Sequence, residues 1–427
     1  MASSSEAHFD VAVVGAGPAG IAAALAAAES GVRVALLDDN PRPGGQIWRA
    51  GPGSLQKPEP LRWFERLENS TVKVFRGARV FCLEAGALSA ESNGAILQLT
   101  FHNLILATGA RELFLPFPGW TLPNVFGAGG LQALVKSGLP VAGKRVVIAG
   151  TGPLLMAVAY FLKKSGATVV ALCEQTSWFR FARFGLQISA LPGKLREAAH
   201  MAFDLAGVRF WTSCWPLSAE GRTQVESVQL SHQGRIRKVE CDYLACGFHL
   251  VPNIELASLA GCRIQDGYVA VDEMQRTSVP NVFCAGEPTG IGGLDLSLAE
   301  GQIAGYASAH WEGSARRLFR RRAAHRKAVG FLSNNFDLRP ELKALPQPKT
   351  FVCRCEDVPM KRLLEFDSWR AAKLQTRCGM GPCQGRVCGA AARFLFGWEV
   401  ESVRPPVFPV KCSSLASLAE NHETIEA

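Results

Sequence analysis

At 427 residues, with 48% hydrophobic and 19% charged side chains, the chain is long enough for two or three packed domains and too apolar to be disordered. A net charge of +9 comes without an aromatic-interleaved basic module, which argues against nucleic acid as a partner. The longest apolar run, Ile21 to Ala28, is far too short to cross a bilayer, and Met1 to Phe9 has neither a basic n-region nor an apolar h-region, so no membrane span and no export signal are expected and the expected location is cytoplasmic.

The first element is a short apolar strand that runs into a glycine loop, FDVAVVGAGPAG, from Phe9 to Gly20. Gly15 allows the tight turn, Gly17 lets backbone approach a pyrophosphate, and Gly20 lets the following alanine-rich helix pack on the strand. The helix N-terminus offers unpaired N–H groups to phosphates. A second strand over Val32 to Leu37 ends in Asp38-Asp39; Asp38 is placed to bind a ribose 2′-hydroxyl, with Asp39 as the alternative.

A second strand–loop–helix begins at Lys144, KRVVIAGTGPLL, with Gly150 and Gly152 but Leu155 where a third glycine would stand. A strand from Thr168 to Leu172 leads to Cys173-Glu174, and Glu174 favours a free 2′-hydroxyl, hence NAD or another adenine nucleotide over NADP. Leu155 is expected to push the helix off the strand or to change how closely a pyrophosphate can approach, so this second site is either a working NAD site or a purely structural one.

Basic residues crowd the run from Arg316 to Lys327, which reads as a solvated helix face or a surface for an acidic partner subunit. Arg339 to Thr350 holds three prolines and reads as a linker. Beyond it, Cys353, Cys355, Cys378, Cys383 and Cys388 fall within thirty-six residues, in FVCRCEDV and TRCGMGPCQGRVCG. Thiolates at this density are ligands for an inorganic centre, either a [2Fe–2S] cluster or a four-cysteine zinc site. Cys82, Cys173, Cys214, Cys241, Cys246, Cys262 and Cys284 stand singly among apolar residues and read as small buried hydrophobes. The eight histidines have no metal-ligand spacing, and no catalytic residue is identified. Aromatic residues between Trp178 and Trp215 fit a flavin pocket, a subunit interface or ordinary core.

Residues 9 to 310 resemble the two-dinucleotide-binding flavoprotein disulfide reductase superfamily. The matching segments are the first glycine loop, Pro43-Gly44-Gly45-Gln46, Leu104 to Gly109 (LILATG), CDYLACGFHLVPN from Cys241 to Asn253, and TSVPNVFCAGE from Thr277 to Glu287. The resemblance implies FAD at the first site, with Gly45, Gln46, Thr108, Gly109 and Gly286 in its walls and Glu287, where relatives carry Asp, holding the ribitol. No C-x4-C follows the second strand and no C-x-x-C lies in the second nucleotide domain, so disulfide reduction is excluded.

The C-terminal module resembles the bacterioferritin-associated-ferredoxin-like [2Fe–2S] domain, which implies Cys353, Cys355, Cys383 and Cys388 as ligands, with Cys378 as the alternative. The long stretch from Leu106 to Tyr160, together with both cysteine segments, is similar to the α-subunit of heteromeric amine dehydrogenases: opine oxidases, hydroxyproline and proline dehydrogenases, and hydrogen cyanide synthase. That similarity implies an electron-transfer subunit partnered by an amino-acid-oxidase-like flavoprotein and a small ferredoxin-like subunit. Its rivals are a self-sufficient NADH-dependent FAD/iron–sulfur reductase and a non-catalytic scaffold with zinc. The expected fold is α/β with two Rossmann-like domains, the second inserted in the first: 1–118 and 250–338 for FAD, 119–249 for an NAD-like nucleotide, a linker at 339–350, a small helical [2Fe–2S] domain at 351–398, and a tail at 399–427.

Overall fold

The computed structural model describes residues 7–49, 58–189, 192–400 and 402–416. The chain divides into two compact units, the first formed by Met1–Arg111, Pro252–Arg326 and Ser402–Ala427, the second by Glu112–Val251 and Lys327–Glu401.

In the first unit the strands Lys73–Arg76, Val34–Asp38, Ala7–Val14 and Ala95–Leu106 lie parallel in that order. Such strands are covered on both faces and so read as continuous apolar runs; Val34 to Asp38 are all buried. The twelve-residue strand Ala95–Leu106 serves two partners along its far edge. Its first half pairs antiparallel with Ala87–Ser92, which pairs in turn with Ala78–Glu84, and its end pairs parallel with Val282–Cys284. The helix Pro18–Ala28 starts with proline, whose missing N–H costs nothing there, and ten of its residues are buried. It packs along the helix Gly293–Ser308 at very short range, because a Cβ on Gly301 or Gly305 would sit 2.1 Å from the Ala19 carbonyl oxygen or 2.2 Å from that of Ala23.

The second unit has its own parallel sheet, in the order Arg209–Thr212, Thr168–Glu174, Arg145–Gly150, Tyr243–Gly247 and Val125–Gly127. An antiparallel meander, Cys214–Glu220, Ser227–His232 and Arg235–Glu240, adjoins it in sequence. Both sheets are Rossmann-like, as the sequence predicts, and the strands of the second fall in Glu112–Val251, between two segments of the first unit. The chain crosses between units at 111/112 and 251/252, against the expected 118 and 250.

Two stretches lie elsewhere than expected. Residues 327–338, expected in the first nucleotide domain, belong to the second unit, where Phe336 is fully buried with its ring edge-on to Phe184 at 4.8 Å. The proline-rich stretch 339–350 is packed: Leu342 and Leu345 enter the second unit's core. A linker with two buried leucines is held by about 1.5–3 kcal/mol for each.

Residues 351–398 form a short hairpin, Phe351–Cys353 with Val358–Pro359, and the helices Met360–Leu363, Trp369–Thr376 and Cys388–Phe396 around a small core that includes Leu363, Trp369 and Trp398. In the tail, Val407 enters a core of the first unit and its N–H bonds the Phe81 carbonyl. Position 401, positions 417–427 and Met1 to Glu6 lie outside the described residues. No helix among the described residues is long and apolar enough to cross a membrane. Cys173, Cys214, Cys241, Cys246, Cys262 and Cys284 are buried and Cys82 is half-buried.

Candidate cofactor sites

The first glycine loop is closed by sterics. Gly15 has φ +104°, and a Cβ there would meet the Ala107 carbonyl at 2.3 Å; one on Gly20 would lie 1.7 Å from the Gly15 oxygen. Gly45 lies over Gly17, with a Cβ at 45 only 2.9 Å from the Gly17 Cα. Gln46 beside it is exposed. Thr108 and Gly109 are tied to Asn253: the Thr108 hydroxyl donates to the Asn253 carbonyl (2.6 Å), and the Asn253 N–H donates to the Gly109 carbonyl (3.0 Å).

Asp38 is buried and turned onto its own loop. Its Oδ2 accepts the Ala16 N–H at 2.5 Å, and its Oδ1 accepts both the backbone N–H and the side-chain amide of Asn40 at 2.8 Å. Asp39 is exposed at the strand end, where withdrawal from bulk water and the adjacent Asp38 raise its pKa.

Gly286 and Glu287 close the same site from the other side of the sheet order. A Cβ on Gly286 would stand 2.8 Å from the Ala19 Cβ, so this turn presses on the glycine-loop helix. Glu287 accepts the Gly293 N–H through Oε1 at 2.9 Å, while its buried Oε2 has no partner. Burial pushes this carboxyl up to about 7. An orphaned buried acceptor invites a hydroxyl donor, which is what the ribityl chain of a flavin carries. The turn is held by Glu300, a residue sequence reasoning missed. Only 2% exposed, it accepts the Gly286 N–H (3.2 Å), the Thr289 hydroxyl (2.9 Å) and Arg326 Nη2 (2.9 Å). Part of the basic run is thereby committed inward: Arg326 pairs Glu300, and the buried Arg322 donates to the Glu273 carbonyl. Arg317, Arg320, Arg321 and Lys327 are exposed.

In the second unit Gly150 (φ +142°) abuts the Gly247 carbonyl and Gly152 caps the helix Pro153–Lys164. Leu155, in the third-glycine position, is buried, and its Cδ2 fills the space beside Gly247. Glu174 is almost wholly buried and accepts the Gly152 N–H (2.7 Å), the Thr151 hydroxyl (2.9 Å) and the Thr176 N–H (2.8 Å); burial pushes its pKa up to about 7. The next residue, Gln175, is fully buried. Of the aromatic segment, Phe184 is buried and Phe210, Trp211 and Trp215 pack on the second unit's cores, whereas Trp178, Phe179 and Phe203 are 64%, 76% and 80% exposed.

All five C-terminal cysteines come together. The sulfurs of Cys353, Cys378 and Cys388 lie within 4.8 Å of one another. The Cys383 and Cys388 thiols share a hydrogen bond, and Cys355 sits at the exposed rim beside Cys383. Glycine makes this closure possible: a Cβ on Gly381 would overlap that of Cys355 at 2.3 Å, and one on Gly379 would strike the Trp369 ring at 2.6 Å. The two cysteine loops are joined by an ion pair the sequence did not reveal, Arg377 Nε to Glu356 Oε2 at 2.8 Å. Cys353 is held far below the usual thiol range by hydrogen bonds from Cys378 and Cys388 and from the Gly379 and Glu356 N–H groups. Cys383 is brought down to about 5, first by Cys388 and also by the Val387 and Gly385 N–H groups. Cys378 and Cys388, as donors, are pushed up. The backbone N–H groups of Gly379, Glu356, Val387 and Gly385 are the donors that favour charged sulfur here, as iron or zinc ligation requires.

Residues 9–313 match the family described as pyridine nucleotide-disulphide oxidoreductase. The A-subunit of opine oxidase from Agrobacterium tumefaciens (strain Ach5) is 31% identical, covering 98% of this chain and 93% of the relative. The HcnB subunit of hydrogen cyanide synthase from Pseudomonas aeruginosa is 30% identical, covering 95% and 98%. The crystal structure of L-proline dehydrogenase from P. horikoshii shares the fold, with a TM-score of 0.72 at 19% identity over 96% of this chain and 80% of that one.

Proposed function

The chain belongs to the pyridine nucleotide-disulphide oxidoreductase family, in the company of the opine oxidase A-subunit and HcnB, and from that premise we propose a specific role. This flavin-dependent oxidoreductase is the FAD- and [2Fe–2S]-bearing electron-transfer subunit of a heteromeric dehydrogenase or oxidase that breaks the C–N bond of a secondary amine or amino acid. The observation that carries it is the cluster of Cys353, Cys378 and Cys388 sulfurs, with Cys383 and Cys355 hydrogen-bonded onto it, in a chain whose first nucleotide site keeps a buried, unpartnered carboxylate oxygen.

In this reading FAD lies on the first glycine loop. Gly17 admits the pyrophosphate, and Glu287 Oε2 takes a ribityl hydroxyl. The ribose falls to Asp39, because Asp38 already holds the Ala16 and Asn40 N–H groups. Asp38 acts as a positioning residue: it fixes the loop amides that face the phosphates. Gly45, Gln46, Thr108, Gly109 and Gly286 shape the remaining walls. Flavin supplies two-electron acceptance with one-electron release, which suits an iron–sulfur acceptor. Cys353, Cys383 and Cys388 hold the cluster, with Cys355 as fourth ligand and Cys378 the alternative; N–H groups of Gly379, Glu356, Val387 and Gly385 stabilise the sulfur charge. No acid–base pair is assigned, since the bond-breaking chemistry belongs to an amino-acid-oxidase-like partner, accompanied by a small ferredoxin-like chain. The names of the relatives, each a subunit, support that division.

The test is an anaerobic visible spectrum of the purified chain with flavin, iron, sulfide and zinc analysis. One flavin and about two irons and two sulfides per chain are expected. Zinc without iron would replace the cluster reading with a four-cysteine structural site.

A further inference from the structure

In a Rossmann unit the dinucleotide lies across the carboxyl ends of the strands, with the adenosine ribose at the end of the second strand and the pyrophosphate over the glycine loop. In the second unit that ground is covered by the chain itself. Residues 335–339 run over the end of the strand Thr168–Glu174. The Thr176 hydroxyl donates to the Asn335 carbonyl (3.2 Å) and Gln175 Nε2 to the Asp337 carbonyl (3.0 Å), while Thr151 Oγ1, whose hydrogen points to Glu174, lies 3.4 Å from the Phe336 carbonyl oxygen. In return the Arg339 N–H donates to Gln175 Oε1 (3.1 Å), and Arg339 Nη1 reaches the Gln175 carbonyl (3.3 Å). On the far side, His249, two residues beyond the strand Tyr243–Gly247, hydrogen-bonds the Phe336 backbone. The segment therefore spans from one strand end to the other, across the Gly150–Gly152 loop.

The groups a dinucleotide needs are consumed by this crossing. The Gly152 N–H and the Thr151 hydroxyl both go to Glu174. Gln175, the counterpart of Asp39, is fully buried and takes bonds from the segment at both ends of its amide. Phe336 is seated edge-on to Phe181 and Phe184. A recess of about 590 Å³ outside it is lined by Thr176, Ser177, Arg180 and residues 337–341, none of which belongs to the glycine loop.

We propose that residues 335–339 are a built-in occupant of the second nucleotide site, so that this unit takes no NAD(H), NADP(H) or free adenine nucleotide and the chain is not reduced by a pyridine nucleotide. The inference rests on the second unit alone and stands apart from the cofactors assigned to the first unit and the cysteine module. It removes the NADH-reductase reading of the sequence and leaves a partner chain as the source of electrons.

The full-length chain, as purified, is titrated with NADH by fluorescence and with NAD+, NADPH and ATP by calorimetry, and its amide hydrogen exchange is followed. None of the four is expected to bind at about 1 mM, and the Arg339, Gly152 and Thr176 amides are expected to exchange slowly. Gln175→Ala removes both ends of the amide bridge and should speed exchange at Arg339 by about tenfold or more while the sheet amides stay protected. Saturable binding of any of the four tighter than about 100 µM would overturn the proposal. So would an Arg339 amide in the unaltered chain that exchanges as fast as unstructured peptide. If Gln175→Ala does not fold, the unaltered chain decides on those two readouts. Flavin and iron contents of the same sample report separately on the proposed function.

Discussion

The two glycine loops of this chain are built alike and finished differently. In each, a buried carboxylate at the end of the second strand accepts a loop N–H: Asp38 from Ala16, Glu174 from Gly152. The residue after the acid then decides the outcome. Asp39 is exposed and opposite it waits Glu287 with a free oxygen; Gln175 is fully buried and bonded to residues 337 and 339 of its own chain. In both units the acid of the fingerprint holds its own loop, and on the proposed reading the ribose of the first unit falls to the residue after it.

The third glycine position breaks the comparison most sharply. Gly20→Leu would drive a Cβ to 1.7 Å from the Gly15 oxygen, which the backbone cannot yield; loss of more than about 4 kcal/mol and of all bound flavin is expected. Its mirror, Leu155→Gly, opens a cavity in the second core and adds a helix glycine, for a loss of about 3–5 kcal/mol. Flavin content should be unchanged and no nucleotide binding gained. Thermal unfolding with flavin analysis separates the two; retention of flavin by Gly20→Leu would show that the first loop is not the flavin site.

Next in size is the aromatic anchor of the crossing segment. Phe336→Ala removes a fully buried ring and should cost about 3–5 kcal/mol, read as a lower midpoint in denaturant. A loss under about 1 kcal/mol would mean the segment is not packed as described.

In the cysteine module the contrast is between centre and rim. Cys388→Ser should abolish iron binding, because its sulfur touches those of Cys353, Cys378 and Cys383. Cys378→Ser should keep iron while Cys355→Ser loses it, if the rim cysteine is the fourth ligand; the opposite pattern would assign Cys378 instead. Iron per chain, measured after desalting, is the readout.

What the sequence made legible were the local signals: two strand–glycine–helix units, the inserted order, and the cysteine-bearing loops. Each strand–glycine–helix unit, and the pair of cysteine loops, is written in fewer than forty consecutive residues. What it hid is the pairing of side chains. Gln175 meets Asp337 across 162 positions, Glu356 meets Arg377 across 21, and Glu300 meets Arg326 across 26. No spacing rule pairs a glutamine with a segment that looks like the approach to a linker, and a basic run looks solvated until a buried glutamate claims one of its members. Asp38 shows the same limit: a motif gives the position of a carboxylate but not which N–H groups its oxygens will take.

The smallest expected effect tests the comparison through protons. Glu174 and Glu287 both have folded pKa values near about 7, raised by burial from 4.5. A carboxyl whose folded pKa lies above its unfolded value binds its proton more tightly in the native state, so its contribution is present at low pH and is lost as pH climbs from about 4.5 through 7. In flavin-free protein both acids should therefore make stability fall across that window. A flavin hydroxyl donated to Glu287 Oε2 favours the charged form and lowers that pKa, which removes its share of the slope; each unit of lowering is about 1.4 kcal/mol. Glu174 has no such donor to gain, since its three donors are already in place and residues 335–339 cover the loop. Denaturant midpoints from pH 5 to 8 should flatten when FAD is added and stay unchanged when NADH is added. A slope that answers to NADH instead would mean that the second unit, not the first, is the one left open for a ligand.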